Sequence, residues 1–174
     1  MDSEAIERKW VTVLNADVVG YSQMAAKDEL AAMLALLNAM RWLAMTVEAF
    51  GGRVVDTPGD NLMAEFDREQ AAVRCALHVQ HAVDEGQLAA EGGMTVRFRI
   101  GVHSGPLLCQ RGRRFGNVVN IAARLQQLAA NGGLLVSEVT YGRLPRGLQV
   151  RLIDFARFEC RNIPQPVGAF RGSR

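Results

Sequence analysis

The chain has 174 residues, 49% of them apolar, and a formal net charge of +2. That length suits one domain with a sizeable core, here read as 1–174 with its centre over about 10–171. A near balance of charge, with no basic stripe interleaved with aromatics, excludes a dedicated nucleic-acid binder. Three scattered cysteines, Cys75, Cys109 and Cys160, form no CxxC pair, so buried or idle thiols are expected rather than a zinc or disulfide framework. No secretory leader or membrane-crossing run is read in the sequence, and the expected location is the cytoplasm, with no membrane partner.

In chain order, Trp10 to Ala16 is a β-branched apolar run that stops at Asp17, a buried strand leading into a turn at Gly20. Leu30, Met33, Leu34, Leu37, Met40, Leu43 and Val47 recur at helical spacing and predict one helix from about Lys27 to Phe50, stopped by Gly51 and Gly52. Arg53 to Asp56 and Asn61 to Phe66 flank Thr57-Pro-Gly-Asp60, which predicts a hairpin. A second helix is expected from Arg68 to Val83, then a polar loop from Glu85 to Gly93. Met94 to His103 alternates like a half-buried strand, Pro106 to Gln110 reads as a further short strand, and Arg111 to Arg114 as a turn. A third helix spans Asn117 to Ala130, and strand, short helix and two more strands run to about Phe170.

The resulting order, strand, helix, strand, strand, helix, strand, is the split βαβ of an α+β, ferredoxin-like βαββαβ core with a C-terminal α/β extension. In that topology the end of the first strand lies beside the start of the third. Asp17 occupies the first place and Asp60 the second, so both carboxylates share one edge of the sheet. Two adjacent carboxylates raise each other's pKa unless a cation intervenes, and divalent metals supply that charge. Asp is also common at strand ends and turns, which on spacing alone is the simpler explanation.

Ala16-Asp-Val-Val-Gly-Tyr-Ser22, Gly51-Gly-Arg-Val-Val55, Gly59-Asp60 with Leu62-Met-Ala-Glu-Phe66, Arg99-Ile-Gly-Val-His103, Phe115-Gly-Asn-Val-Val-Asn-Ile-Ala-Ala-Arg-Leu125 and Arg161-Asn-Ile-Pro-Gln-Pro-Val167 are each weak signals. In this order and spacing they resemble the class III adenylate/guanylate cyclase catalytic domain, most like its stand-alone bacterial members. The resemblance implies a two-fold homodimer that turns a nucleoside triphosphate into a 3′,5′-cyclic nucleotide and pyrophosphate. It implies two Mg²⁺ or Mn²⁺ ions per site on Asp17, Asp60 and the Val18 carbonyl. It maps Asn120 and Arg124, one helical turn apart, onto the pair that orients the ribose and steadies phosphoryl charge. Arg161 falls where the family has a lysine for the terminal phosphates. The turn Gly20, Tyr21 and Ser22 would present amide groups to phosphate.

The base-reading positions depart from the family. Adenine-selective members have a lysine where this chain has Asp56, and an aspartate or threonine where it has Arg113. Asp56 only accepts and Arg113 only donates, which suits guanine or a pyrimidine such as uracil better than adenine. A catalytically weak or silent cyclase-like module, with Asp56 and Arg113 paired to each other at the dimer, is the competing reading. The four intact chemistry positions favour the enzyme. A diguanylate-type cyclase is disfavoured because the hairpin lacks a GG-[D/E]-EF sequence.

Overall fold

The computed structural model describes residues 6–89, 94–111 and 113–173. Its elements in chain order are β1 (Glu7–Val18), α1 (Tyr21–Lys27), α2 (Glu29–Ala49), β2 (Arg53–Asp56), β3 (Asn61–Phe66), α3 (Glu69–Asp84), β4 (Phe98–Gln110), β5 (Arg113–Phe115), α4 (Asn117–Leu128), β6 (Leu134–Ser137), α5 (Glu138–Tyr141), α6 (Arg146–Gln149), β7 (Leu152–Phe158) and β8 (Val167–Gly172). One mixed sheet runs β2-β3-β1-β4-β6-β8-β7, with β5 added beside β4. The segment β2-β3-β1-β4 is the ferredoxin-like core expected from the order of elements, all antiparallel. β4 to β6 is the parallel step into the extension.

Strand alternation gives the sheet two unlike faces. Leu14, Ala16 and Val18 of β1, Leu62, Ala64 and Phe66 of β3, and Phe98, Ile100 and Val102 of β4 point one way, into a single apolar core roofed by α2 and α3. Each large side chain in that layer contributes about 1.5–3 kcal/mol by leaving water. On the other face α4 packs against Val11, Val13 and Leu107 through Val118 and Ala122. Its seat is Gly101, where an added Cβ would lie 2.3 Å from both the Ala122 carbonyl oxygen and the Gln126 amide nitrogen. Only a glycine lets the α4 backbone come that near the sheet.

The hairpin and third strand fall where the sequence puts them, and Gly51 at φ 79° ends α2 as expected. Three expectations change. The first helix is two: α1 follows directly on Gly20, and Asp28 starts α2 afresh, its carboxylate accepting from the Ala31 amide at 3.0 Å. The strands expected at Met94–His103 and Pro106–Gln110 are one, β4, which begins only at Phe98. Pro106 is tolerated inside it because β6 pairs with β4 no further than Val102 and β5 starts at Leu108, so one flank of β4 is open at the proline. The extension also holds two short helices, α5 and α6, rather than one. The expected loop of residues 85–93 is a set of turns as far as it lies within the described residues. By length and composition α2 could cross a membrane, but Ala32, Ala35, Ala39, Leu43 and Val47 on one side of it are buried in the core.

Candidate active site

Antiparallel pairing of β1 with β3 sets Asp17 opposite Asn61, one residue after Asp60. The Val18 amide donates to the Asp60 carbonyl at 3.0 Å, which pins the two aspartate-bearing segments together. Asn15 and Asn61 exchange side-chain amide hydrogen bonds beneath them, at 2.9 and 3.4 Å. The expected carboxylate edge is therefore present. Its register also brings a residue that sequence reasoning did not single out: Arg99 of β4 lies opposite Asp17. Arg99 Nε and Nη2 donate to the two carboxylate oxygens of Asp17 at 3.1 and 2.6 Å. That fork–fork pair, reinforced by the charges of Asp17 and Asp60, raises the pKa of the guanidinium above its ordinary value.

The chemistry of this edge fits divalent metal. Asp17 near the end of β1 and Asp60 in the turn just before β3 both favour a cation, as the Arg99 guanidinium shows, and the donors are hard oxygens. Among the described residues no cluster of three or more His, Cys, Asp or Glu side chains could hold a metal unaided. Ions here would rely on Asp17, Asp60, the Val18 carbonyl and the substrate's phosphates together, as Mg²⁺ sites commonly do.

Asn120 and Arg124 share one face of α4, as their spacing predicts, and open onto a pocket of about 250 Å³ that Arg161 and Asn162 close from the β7–β8 connection. Arg124 Nη1 donates to Gln127 at 2.8 Å, which holds the guanidinium along the helix. Asn162, at φ 64°, turns the connection so that Arg161 faces the pocket. Three of the expected residues are thus gathered in one place, and neither aspartate lines it. Within one chain the expected residues therefore form two separate groups.

The two residues expected to read the base are also far apart. Asp56 ends β2, its carboxylate accepting from the Thr57 amide at 2.9 Å. Asp56 pairs with Met63, which leads across β1 to the level of Gly101 on β4, whereas Arg113 pairs with Gln110 nine residues further along. At about 3.3 Å per residue that is roughly 30 Å, far beyond an intrachain salt bridge. The side chain of Arg113 lies outside the described residues. Gly20, at φ 73°, makes the expected turn, and Tyr21 and Ser22 open α1, where first-turn amides lack intrahelical partners.

A second cationic group occupies the α4 face of the sheet. Glu65, almost fully buried, accepts from Arg114 at 2.5 Å, from Lys9 at 3.3 Å and from Arg53. Burial alone would raise its pKa; the hydrogen bonds from Arg114 and Arg53 and the nearby charges outweigh it and keep the carboxylate ionised. His103 is buried too, its Nδ1 2.8 Å from Ser137 Oγ. Burial lowers its pKa to about 4, so it is neutral at pH 7. It is a satisfied strand histidine, not a base. Trp10 is exposed, with Nε1 donating to Glu69 at 2.9 Å and Arg143 over its ring. His78 stacks on Trp42 and meets Phe50 at a tilt of 42°.

The adenylate and guanylate cyclase catalytic domain family model matches residues 4–162. With the fold above, this places the chain in that family. A Rhizobium meliloti protein provisionally named adenylate cyclase 3 is 31% identical over 170 residues, covering 96% of this chain and 29% of that protein. An uncharacterized Mycobacterium tuberculosis protein is 31% identical over 162 residues, covering 90% of this chain and 53% of its own length. The chain thus spans between about a third and a half of these curated relatives. The crystal structure of an adenylate/guanylate cyclase/hydrolase from Silicibacter pomeroyi superposes with a TM-score of 0.82 at 28% identity, covering 98% of this chain and 99% of that one. The adenylyl cyclase CyaB from P. aeruginosa shares the fold at TM-score 0.80 and 21% identity, over 98% and 96% of the two chains.

Proposed function

We propose that this chain is the catalytic domain of a homodimeric nucleotidyl cyclase that converts a nucleoside triphosphate to its 3′,5′-cyclic nucleotide and pyrophosphate. The observation that carries this reading is the division of the site into two complementary halves: a metal edge of Asp17, Val18 and Asp60, and a pocket of Asn120, Arg124 and Arg161 that neither aspartate lines. A two-fold axis would set the edge of one copy against the pocket of the other and create two equivalent sites.

Mg²⁺ or Mn²⁺ bound at the edge supplies a lowered pKa for the ribose 3′-hydroxyl and charge neutralisation for the triphosphate. Asp17 and Asp60 hold that charge in place, and Arg99 keeps the Asp17 carboxylate oriented toward the edge. Asn120 positions the ribose so that its 3′-oxygen is in line with the α-phosphorus. Arg124 stabilises the negative charge that grows on the α-phosphoryl oxygens as the new P–O bond forms and pyrophosphate leaves. Arg161 and the amides of Gly20, Tyr21 and Ser22 hold the β- and γ-phosphates.

Asp56 and Arg113 select the base. Asp56 has its carboxylate held by the Thr57 amide and offers only acceptors, which match the N1–H and N2–H₂ donors of guanine or the N3–H of uracil. Arg113 offers only donors, for O6 of guanine or O4 of uracil. Adenine fits worst, because its N1 acceptor and N6 donor are met by an acceptor and a donor in the reverse of the usual arrangement. Since the two residues lie at opposite ends of the sheet, they too would meet one base only across the dimer.

Purified protein given each of the four triphosphates with Mn²⁺ tests the reading, with cyclic product resolved by chromatography. Cyclic GMP or a cyclic pyrimidine nucleotide is expected to exceed cyclic AMP, and Asp56→Lys with Arg113→Asp should move the preference toward ATP. No cyclic product from any of the four, in protein shown to be dimeric, would leave the silent module as the better description.

A further inference from the structure

The two sides of α2 are both apolar. Ala32, Ala35, Ala39, Leu43 and Val47 face the core, as a surface helix should. The opposite side, which such a helix normally fills with charge, carries Leu30, Met33, Leu34, Leu37 and Met45, exposed to 63%, 42%, 50%, 54% and 64%. At 100° per residue these five lie within about 120° of one another, so they form a single stripe along the helix. Together they leave on the order of 500 Å² of apolar surface in water, at the upper end of what an isolated soluble chain shows.

The charges along the helix say what covers it. The exposed charged residues on it and just ahead of it are Lys27, Asp28, Glu29, Arg41 and Glu48, more acidic than basic, which disfavours an anionic lipid surface. Arg41 and Glu48 lie within the stripe. A parallel pairing with another α2 would set Arg41 on Arg41 and Glu48 on Glu48, both repulsive. An antiparallel pairing about a dyad between Leu34 and Leu37 sets Leu34 of one copy on Leu37 of the other. It also lays the apolar stem of Arg41 over Leu30 with its guanidinium beside Glu29, at both ends. In this register Leu30, Met33, Leu34 and Leu37 of both copies, with the Arg41 stems and the helix surface around them, would bury on the order of 1,000 Å², the size at which a specific interface becomes stable.

We propose that α2 is a self-association surface: two copies of this chain pair antiparallel through the Leu30–Leu34–Leu37 stripe, with Arg41 and Glu29 setting the register. The contact is isologous and closes on itself. It is distinct from the cyclase dimer proposed above, because α2 roofs the core face of the sheet and α4 the opposite face. It joins catalytic dimers to one another and leaves the α4 pocket uncovered.

Sedimentation velocity on the full chain over a range of concentrations tests this, with wild type beside the Leu34→Glu, Leu37→Glu double variant. Both positions point to water, so the variant should keep the wild-type circular dichroism and melting temperature. Wild type is expected to show an association step that the variant loses or shifts by at least a hundredfold in concentration. Arg41→Glu should weaken the same step, and Arg41→Glu with Glu29→Arg should restore it. Identical mass distributions for wild type and the double variant would overturn the proposal. So would wild-type binding to phosphatidylglycerol vesicles that the double variant loses, which would assign the stripe to a membrane.

Discussion

The two faces of the sheet were built for different work. Beneath α2 and α3 the strands offer an almost unbroken apolar layer whose polar exceptions, Thr12 and Ser104, satisfy each other at 2.9 Å. Beneath α4 the same strands carry Asn15 with Asn61, Asp17 with Arg99, and Glu65 with its three cations. The first face holds the fold together without help from charge. The second can therefore spend its positions on groups that a core would reject, and the expected chemistry lies there or at its edge.

If that division is right, changes on the α4 face should remove activity and spare stability. The largest loss is expected from Asp60→Ala, at least about 10³-fold in kcat/KM with melting temperature unchanged, because nothing else at the edge replaces its carboxylate. Arg124→Ala should follow, at about 10²–10³-fold and mainly in kcat, since its partner is charge that develops during bond formation. Steady-state kinetics beside thermal melts reads both. Gly101→Ala crosses the division: the added methyl pushes against the α4 backbone, so it should cost about 1–3 kcal/mol of stability and lower kcat as Asn120 and Arg124 shift.

The smallest effect concerns pH. His103 takes up a proton near 6.5 when unfolded and near 4 when folded, so between these values the unfolded state binds more protons and stability falls as pH falls. Urea denaturation at pH 7 and pH 5 should differ by about 2 kcal/mol from this residue, and His103→Asn should flatten that part of the profile.

Much of this division could be read in the residues before the fold was known, and the failures have physical causes. The β2–β3 hairpin was legible to the residue because a Pro-Gly turn between two short apolar runs is a local signal. α1 was not, because Tyr21–Lys27 buries nothing fully and so has no apolar period to detect. Pro106 read as a strand break, since sequence cannot show that its missing N–H faces an open flank. Among the expected site residues, strand order put Asp17 beside Asp60 and helical spacing put Asn120 and Arg124 on one face, while the roles expected of all four came from the resemblance to the cyclase domain. Arg99 and Glu65 were not legible: each alternates within its strand like any surface charge, and only cross-strand register brings Arg99 onto Asp17 or three cations onto Glu65. The same register means that Asp56 and Arg113 could pair only between two chains, as the competing reading has it.

The central claim is that each chain carries two half-sites that only a second copy completes. Mixing Asp17→Ala protein with Arg124→Ala protein, each inactive alone, tests it directly. Random exchange makes half the dimers mixed, and each mixed dimer has one intact site of two, so activity should return to about a quarter of wild type. A mixture that stays at the sum of its two inactive parts, with exchange of subunits demonstrated, would contradict the account.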